Sequence, residues 1–145
     1  MLMMVTGIVC MANAQSQNPV QWSVAASKLA DGNYSITLTA SVPAPWHIYS
    51  QNTPDGGPVP TAILFNKNPL VTLMGKPKEK GALKTTHDKN FDVDVKYYAD
   101  KVQFIQTLKV RGGVKTNLSG TVNFMVCNDQ ECLPPSGWDF SVKLN

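Results

Sequence analysis

Apolar and polar residues alternate along most of the chain. Val20, Trp22 and Val24 form a short alternating run, and Asp31-Gly32-Asn33 then supplies a turn. Tyr34, Ile36, Leu38, Ala40 and Val42 follow, with Ser35, Thr37, Thr39 and Ser41 between them. A period of two places each set on one face, so the pattern predicts a half-buried strand pair with a polar outer side. Further strands are expected at Ala62–Phe65, Leu70–Met74, Val93–Tyr98, Val102–Val110, Gly120–Cys127 and Trp138–Leu144. No window sustains a convincing helical period for longer than three turns. About seven or eight short strands, with turn signals roughly every 8–12 residues, point to an all-β fold, an antiparallel β-sandwich.

Two long segments break the pattern and read as loops. Pro43–Pro60 carries prolines at 43, 45, 54, 58 and 60 with Gly56-Gly57 between them, and Gly75–Asp92 carries charges, His87 and Phe91. Lys76–Lys80 (KPKEK) reads as a solvated connection, and Arg111-Gly112-Gly113 as a hairpin turn. Long loops on a rigid sandwich are where sites tend to sit.

The first residues are set apart by composition. Met1–Ala14 carries no charge, has an apolar middle and ends in Ala12-Asn13-Ala14, the small-x-small form of a signal peptidase site. Cleavage is expected after Ala14. A basic n-region is missing, and the natural start would then be expected a few residues upstream. Cys10 falls inside this leader, where Gly7-Ile8-Val9 is a poor lead-in for lipidation. No later stretch is long and apolar enough to cross a bilayer as a helix, so the exported chain, 15–145, is expected to be one domain without membrane insertion. The full chain of 145 residues, 43% of them hydrophobic, is long enough to bury a core without needing disulfides to fold. A formal net charge of +3 does not call for nucleic acid as a partner.

Removing the leader leaves Cys127 and Cys132, an even pair in an oxidising compartment, where a disulfide is expected. The four residues between them, Asn128-Asp129-Gln130-Glu131, suit a hairpin loop that would set the cysteines opposite one another. Alternation puts Val122, Phe124 and Val126 on one face and Cys127 on the other, which predicts Cys127 on the less buried side. Pro134-Pro135 should keep the return strand from pairing at once. Closing so short a loop contributes about 2 kcal/mol in the chain-entropy model, against about 4 for one of about 60 residues. A weak staple in a domain that can fold without it favours a chemical role, but spacing alone leaves a purely structural bridge equally open. A Cys₂His₂ zinc site with His47 and His87 is a third reading. It is disfavoured by the loose cysteine spacing and by histidines in separate loops. No phosphate-cradling glycine motif, G-x-S-x-G elbow or H-E-x-x-H is present.

The leader, Trp46-His47-Ile48-Tyr49, His87-Asp88-Lys89-Asn90-Phe91 and Cys127…Cys132-Leu133-Pro134-Pro135 occur in an order that resembles the N-terminal periplasmic domain of the thiol:disulfide interchange protein DsbD. The resemblance spans roughly Val20 to Leu144. It implies an immunoglobulin-like sandwich in the periplasm of a Gram-negative bacterium, with Cys127 and Cys132 as the redox pair. It also implies a cap loop, Asp88, Lys89, Asn90, Phe91 and Asp92, whose Phe91 covers the disulfide. His47, Tyr49 and Pro134 would line the site. The implied partners are a membrane-embedded thiol reductase and periplasmic thioredoxin-like proteins, disulfide isomerases and those of cytochrome c maturation among them. No cofactor is implied. Cys132 would meet the partner and Cys127 would resolve. The chain departs from the familiar pattern in having one residue fewer between its cysteines, Asp92 in place of a second cap aromatic, and Leu133 where an aromatic is usual. It also stops at Asn145, where the transmembrane and thioredoxin-like portions would follow. The rival from another class is a secreted sandwich that binds a protein or glycan through its proline-rich loop and carries an inert disulfide.

Overall fold

A computed structural model describes residues 18–145, so the expected leader and its cleavage site lie outside the described residues. Eleven strands are formed: β1 (Gln21–Lys28), β2 (Tyr34–Val42), β3 (His47–Tyr49), β4 (Ala62–Phe65), β5 (Val71–Gly81), β6 (Lys84–Asp88), β7 (Val93–Tyr98), β8 (Asp100–Val110), β9 (Thr116–Phe124), β10 (Val126–Cys127) and β11 (Ser136–Leu144). They build one sheet in the order β1-β2-β8-β5, a second in the order β11-β9-β4, and a third in the order β10-β3-β7-β6. Every pairing is antiparallel. The result is the expected immunoglobulin-like sandwich.

The alternation read from the sequence is what fills the interior. Leu38, Ala40 and Val42 of β2 and Val102 and Phe104 of β8 meet Val122, Phe124 and Phe140 of the β11-β9-β4 sheet, all buried. Ile48, Tyr98 and Val126 extend the same core into the third sheet. Trp22 lies over its flank, 5.2 Å from Phe124 and stacked at 6.0 Å on Trp138, centroid to centroid. A second buried cluster, with Ile36, Leu108, Leu118 and Leu144, closes the other end.

The structure corrects three expectations. Lys76–Lys80 is not a loop: it is the second half of β5, which pairs with β8 on both sides of a register shift between Met74 and Lys78. The shift is a bulge, with Gly75 at φ 74°, a conformation glycine adopts without a Cβ clash. Buried Gln106 donates from Nε2 to the carbonyls of Gly75 (3.1 Å) and Thr107 (2.8 Å) and so holds the bulge. The long Gly75–Asp92 loop therefore shrinks to two turns around β6. The second correction is Arg111-Gly112-Gly113. It is a single 3₁₀ turn whose two glycines take positive φ, and it carries the chain from β8 in one sheet to β9 in another rather than closing a hairpin. The third is β3, three residues of extended chain within the proline-rich segment.

Candidate functional site

The third sheet places the site, and its register sorts the side chains. Ile48 faces Val126 on β10 and Tyr98 on β7, and all three point into the sandwich core. One residue along, the pleat reverses. His47 stands opposite Cys127 and Tyr49 opposite Tyr97, and Tyr49, Val95 and Cys127 form a separate buried cluster on the sheet's other face. β9 and β10 are one strand interrupted only at Met125. It leaves the β11-β9-β4 sheet and joins the β3 sheet for its last two residues.

Cys127 and Cys132 lie at disulfide-bond distance and are bridged across the turn as an isolated antiparallel pair. Asn128 organises the turn. Its Oδ1 accepts from the backbone N–H groups of Gln130 (2.9 Å) and Glu131 (2.8 Å), and its own N–H donates to the Glu131 carbonyl at 2.8 Å. Asn at the head of such a turn is a signal legible in the sequence, since its side chain bonds the backbone two and three residues on. Leu133 N–H donates to the Val126 carbonyl, and the ladder resumes only at Ser136, as the two prolines require.

One expectation about this pair fails. Cys127 does point away from Val126, yet it is only 2% exposed because Tyr49 and Val95 cover that second face. Cys132, in contrast, is exposed. The two cysteines of one bridge therefore have unlike surroundings, one packed with Tyr49 and Val95 and one at the surface.

Beside the hairpin lies an open cleft of about 450 Å³. The β6 side supplies Thr86, His87, Asp88, Lys89 and Asn90; β3 and β7 supply His47, Val95 and Tyr97; Asn128 and Asp129 of the cysteine turn form the far wall. The segment 88–92 and the cysteine hairpin, 35 or more residues apart in sequence, thus face each other. Asp88 fixes that segment, accepting at Oδ1 from Asn90 N–H (2.8 Å) and Phe91 N–H (3.1 Å). Phe91 is 37% exposed, and its Cβ lies close to Gly57, which also presses on Val93. Glycine at 57 admits this approach, because a Cβ there would come within 2.7 Å of Val93 Cγ2. Asp92 takes a positive φ of 54° at the end of the turn. Pro134 is exposed on the hairpin's return limb.

Both histidines line the cleft, but in different electrostatic states. His87 places Nε2 2.9 Å from Asp92 and Nδ1 3.0 Å from Asp94. Two carboxylate acceptors ask both ring nitrogens to donate, so the hydrogen bond to Asp94, then that to Asp92, raises its pKa. His47 has Nε2 3.0 Å from the Tyr49 hydroxyl and its ring 4.8 Å from that of Tyr97. Burial pushes its pKa below the ordinary imidazole value, against the opposing pull of Asp129 and Asp88. Burial likewise raises the Tyr49 phenol, which stays protonated. Its carbonyl accepts from the buried Thr61 hydroxyl at 2.5 Å, which anchors β3 from behind.

Fold and site together define a class: an immunoglobulin-like domain that presents a short-loop cysteine pair at the end of a strand, beside a cleft walled by a second loop. Residues 15–144 match the family described as thiol:disulfide interchange protein DsbD, N-terminal, and the chain belongs to that family. The crystal structure of the reduced N-terminal domain of DsbD from Neisseria meningitidis is similar, with a TM-score of 0.62 at 13% identity, over 86% of this chain and 84% of that one. The N-terminal periplasmic domain of ScsB from Proteus mirabilis is similar with a TM-score of 0.60 at 19% identity, over 88% of this chain. This chain spans 46% of the ScsB chain. At such identities the likeness is one of fold. No curated protein sequence matches the chain.

Proposed function

We propose that this chain is an exported, periplasmic thiol–disulfide exchange module that passes electrons through Cys127 and Cys132 from a membrane-embedded thiol reductase to thioredoxin-like proteins. The observation that carries the reading is the unequal burial of the two cysteines. A disulfide that exchanges must expose one sulfur to an incoming thiolate and keep the other in place as leaving group and resolving thiol. Cys132 is the reachable atom. An attacking thiolate forms the mixed disulfide there and the electron pair passes to Cys127. Attack by Cys127 on that bond later expels the partner. Membership of the DsbD N-terminal family supports the chemistry, and the short loop supports it too, since the bridge adds little stability.

In this reading Asp88–Asp92 is the cap, with Phe91 its aromatic element, and His47, Tyr49 and Pro134 frame the approach. The leader Met1–Ala14 exports the chain, 15–145 folds as one domain, and the exchange needs no cofactor. The test is twofold. The reduction potential should fall among those of exchange proteins, between about −120 and −270 mV, whereas a value below about −300 mV would mark an inert structural bridge. A Cys127→Ala variant, which leaves Cys132 unable to be resolved, should accumulate mixed disulfides with thioredoxin-like proteins in periplasmic extract. A variant that traps nothing, alongside a potential below that limit, would leave a sandwich with a passive disulfide.

A further inference from the structure

Cys127 poses a problem for any exchange reaction. When the disulfide opens at Cys132, the electron pair lands on the sulfur of a residue that is 2% exposed, in a cluster with Tyr49 and Val95. A thiolate left in such surroundings lacks the water that would stabilise its charge. The step needs a proton or a strong donor beside that atom. Register supplies one candidate. His47 is the direct cross-strand partner of Cys127, and directly opposed residues on one face have Cβ atoms about 4.5–5.5 Å apart.

We propose that His47, held by Tyr49, is the acid–base residue of the exchange: it gives a proton to Cys127 when the disulfide opens and takes it back when Cys127 resolves a mixed disulfide. This inference rests on the exchange reading above and adds a residue role to it. The partner thiolate bonds to Cys132 Sγ, the Sγ–Sγ bond breaks, and its electron pair becomes the lone pair of Cys127. The proton comes from the His47 imidazolium, which ends neutral. In the reverse direction neutral His47 accepts the Cys127 thiol proton, Cys127 Sγ bonds to Cys132 Sγ, and the partner leaves as a thiolate.

The surroundings suit a group that moves between these two states. Nε2 is taken by the Tyr49 hydroxyl at 3.0 Å, which leaves the second ring nitrogen for the sulfur. Tyr49 is fully buried and its phenol stays protonated, so the contact orients the ring without competing for its charge. The groups facing His47 are few. Tyr49 lies on its own strand and Tyr97 on β7; Asp88, Lys89 and His87 line the cleft from the β6 side, and Asp129 from the cysteine turn. Burial favours the neutral ring, while Asp129 and Asp88 favour the charged one. Burial outweighs the two carboxylates, so the ring takes its proton only on the acid side of the ordinary imidazole value.

The experiment follows reduction of the full-length oxidised protein by dithiothreitol from pH 4.5 to 8, with each rate divided by the dithiothreitol thiolate concentration. The normalised rate of the wild type should rise roughly tenfold as pH falls through the His47 titration, about the weight of one charge-assisted hydrogen bond in the transition state. His47→Gln keeps a partner for Tyr49 but cannot titrate, and should give a flat profile; His47→Phe should do the same. A wild-type profile retained by both variants, or a uniform slowing that leaves the profile's shape unchanged, would overturn the assignment. Dithiothreitol reduces an inert bridge as well as an active one. A potential below about −300 mV would therefore sink the exchange reading while the His47 profile is still read independently.

Discussion

Removing the Glu79 carboxylate should cost this domain more than removing any other charge on its edge strands. Glu79 stands in the β5 stretch whose composition reads as solvated loop, and its side chain turns toward the site sheet. Oε1 accepts from Ser50 Oγ at 2.6 Å and Tyr98 OH at 2.8 Å; Oε2 accepts from Gln51 N–H at 2.8 Å and Gln51 Nε2 at 3.2 Å. Ser50 and Tyr98 are only 1% and 3% exposed, so Glu79→Ala strands two buried hydroxyls. Each unsatisfied buried donor costs about 1–3 kcal/mol. Glu79 itself is half-buried, which lets water recover part of the loss, so the expected total is about 2–4 kcal/mol. With a urea m-value of about 2 kcal/mol/M, the unfolding midpoint should fall by about 1–2 M. Glu79→Gln keeps an acceptor for both hydroxyls and should lose less than half as much. Because Ser50 and Gln51 directly follow Tyr49, amide exchange in β3 should quicken in the Ala variant. A Glu79→Ala midpoint within about 0.2 M of wild type would refute the reasoning, since no network worth these energies could then exist.

Two further outcomes are expected. A Cβ at Gly120 would collide with the Leu64 backbone carbonyl and come within 2.7 Å of Phe140 Cζ, so Gly120→Ala should destabilise by at least about 1–3 kcal/mol and loosen β4, read by denaturant unfolding and by exchange at Leu64. His87 is held above its ordinary pKa by Asp94 and Asp92, so its contribution to the β6–β7 turn is complete below the unfolded value of about 6.5 and is lost as pH rises through the folded one. NMR titration should place His87 above that value and His47 below it, with the Asn90 and Phe91 amides shifting along with His87; the reverse order of the two histidines would contradict the geometry.

The sandwich was legible because its strands alternate, and alternation is the imprint of a sheet with one covered face. Ala62–Phe65 and Val93–Tyr98 form with the predicted bounds, and Tyr34–Val42 likewise. What escaped has physical causes. β6, Lys84–Asp88, is an edge strand with little apolar content, and edge strands need no hydrophobic face to pair. β5 passes through Lys76–Lys80 because buried Gln106 satisfies the bulge carbonyls, a long-range contact invisible in a local window. β3 is three residues long and surrounded by prolines, yet it carries His47 and Tyr49. The cysteine pair could be singled out from the residues, and the loop at 88–92 through the family resemblance; that Asp88, Asp129 and His47 line one cleft could not.

The burial of Cys127 shows how the fold makes two different sulfurs out of one hairpin. Had the strand 116–127 stayed in its first sheet throughout, Cys127 would have continued the half-exposed row of Thr121, Asn123 and Met125. Instead the strand breaks at Met125 and its last two residues take β3 as partner. β3 is anchored by Thr61 on its Tyr49 carbonyl and, through Ser50 and Gln51, by Glu79. That change of partner brings Tyr49 and Val95 over the outward face and sets His47 opposite Cys127 across the strands, while the turn that Asn128 closes returns Cys132 to the surface. The asymmetry the exchange chemistry needs therefore comes from a strand switching sheets, not from the cysteine spacing. Loosening the Glu79 clasp should for that reason raise the exposure of Cys127 as well as lower stability.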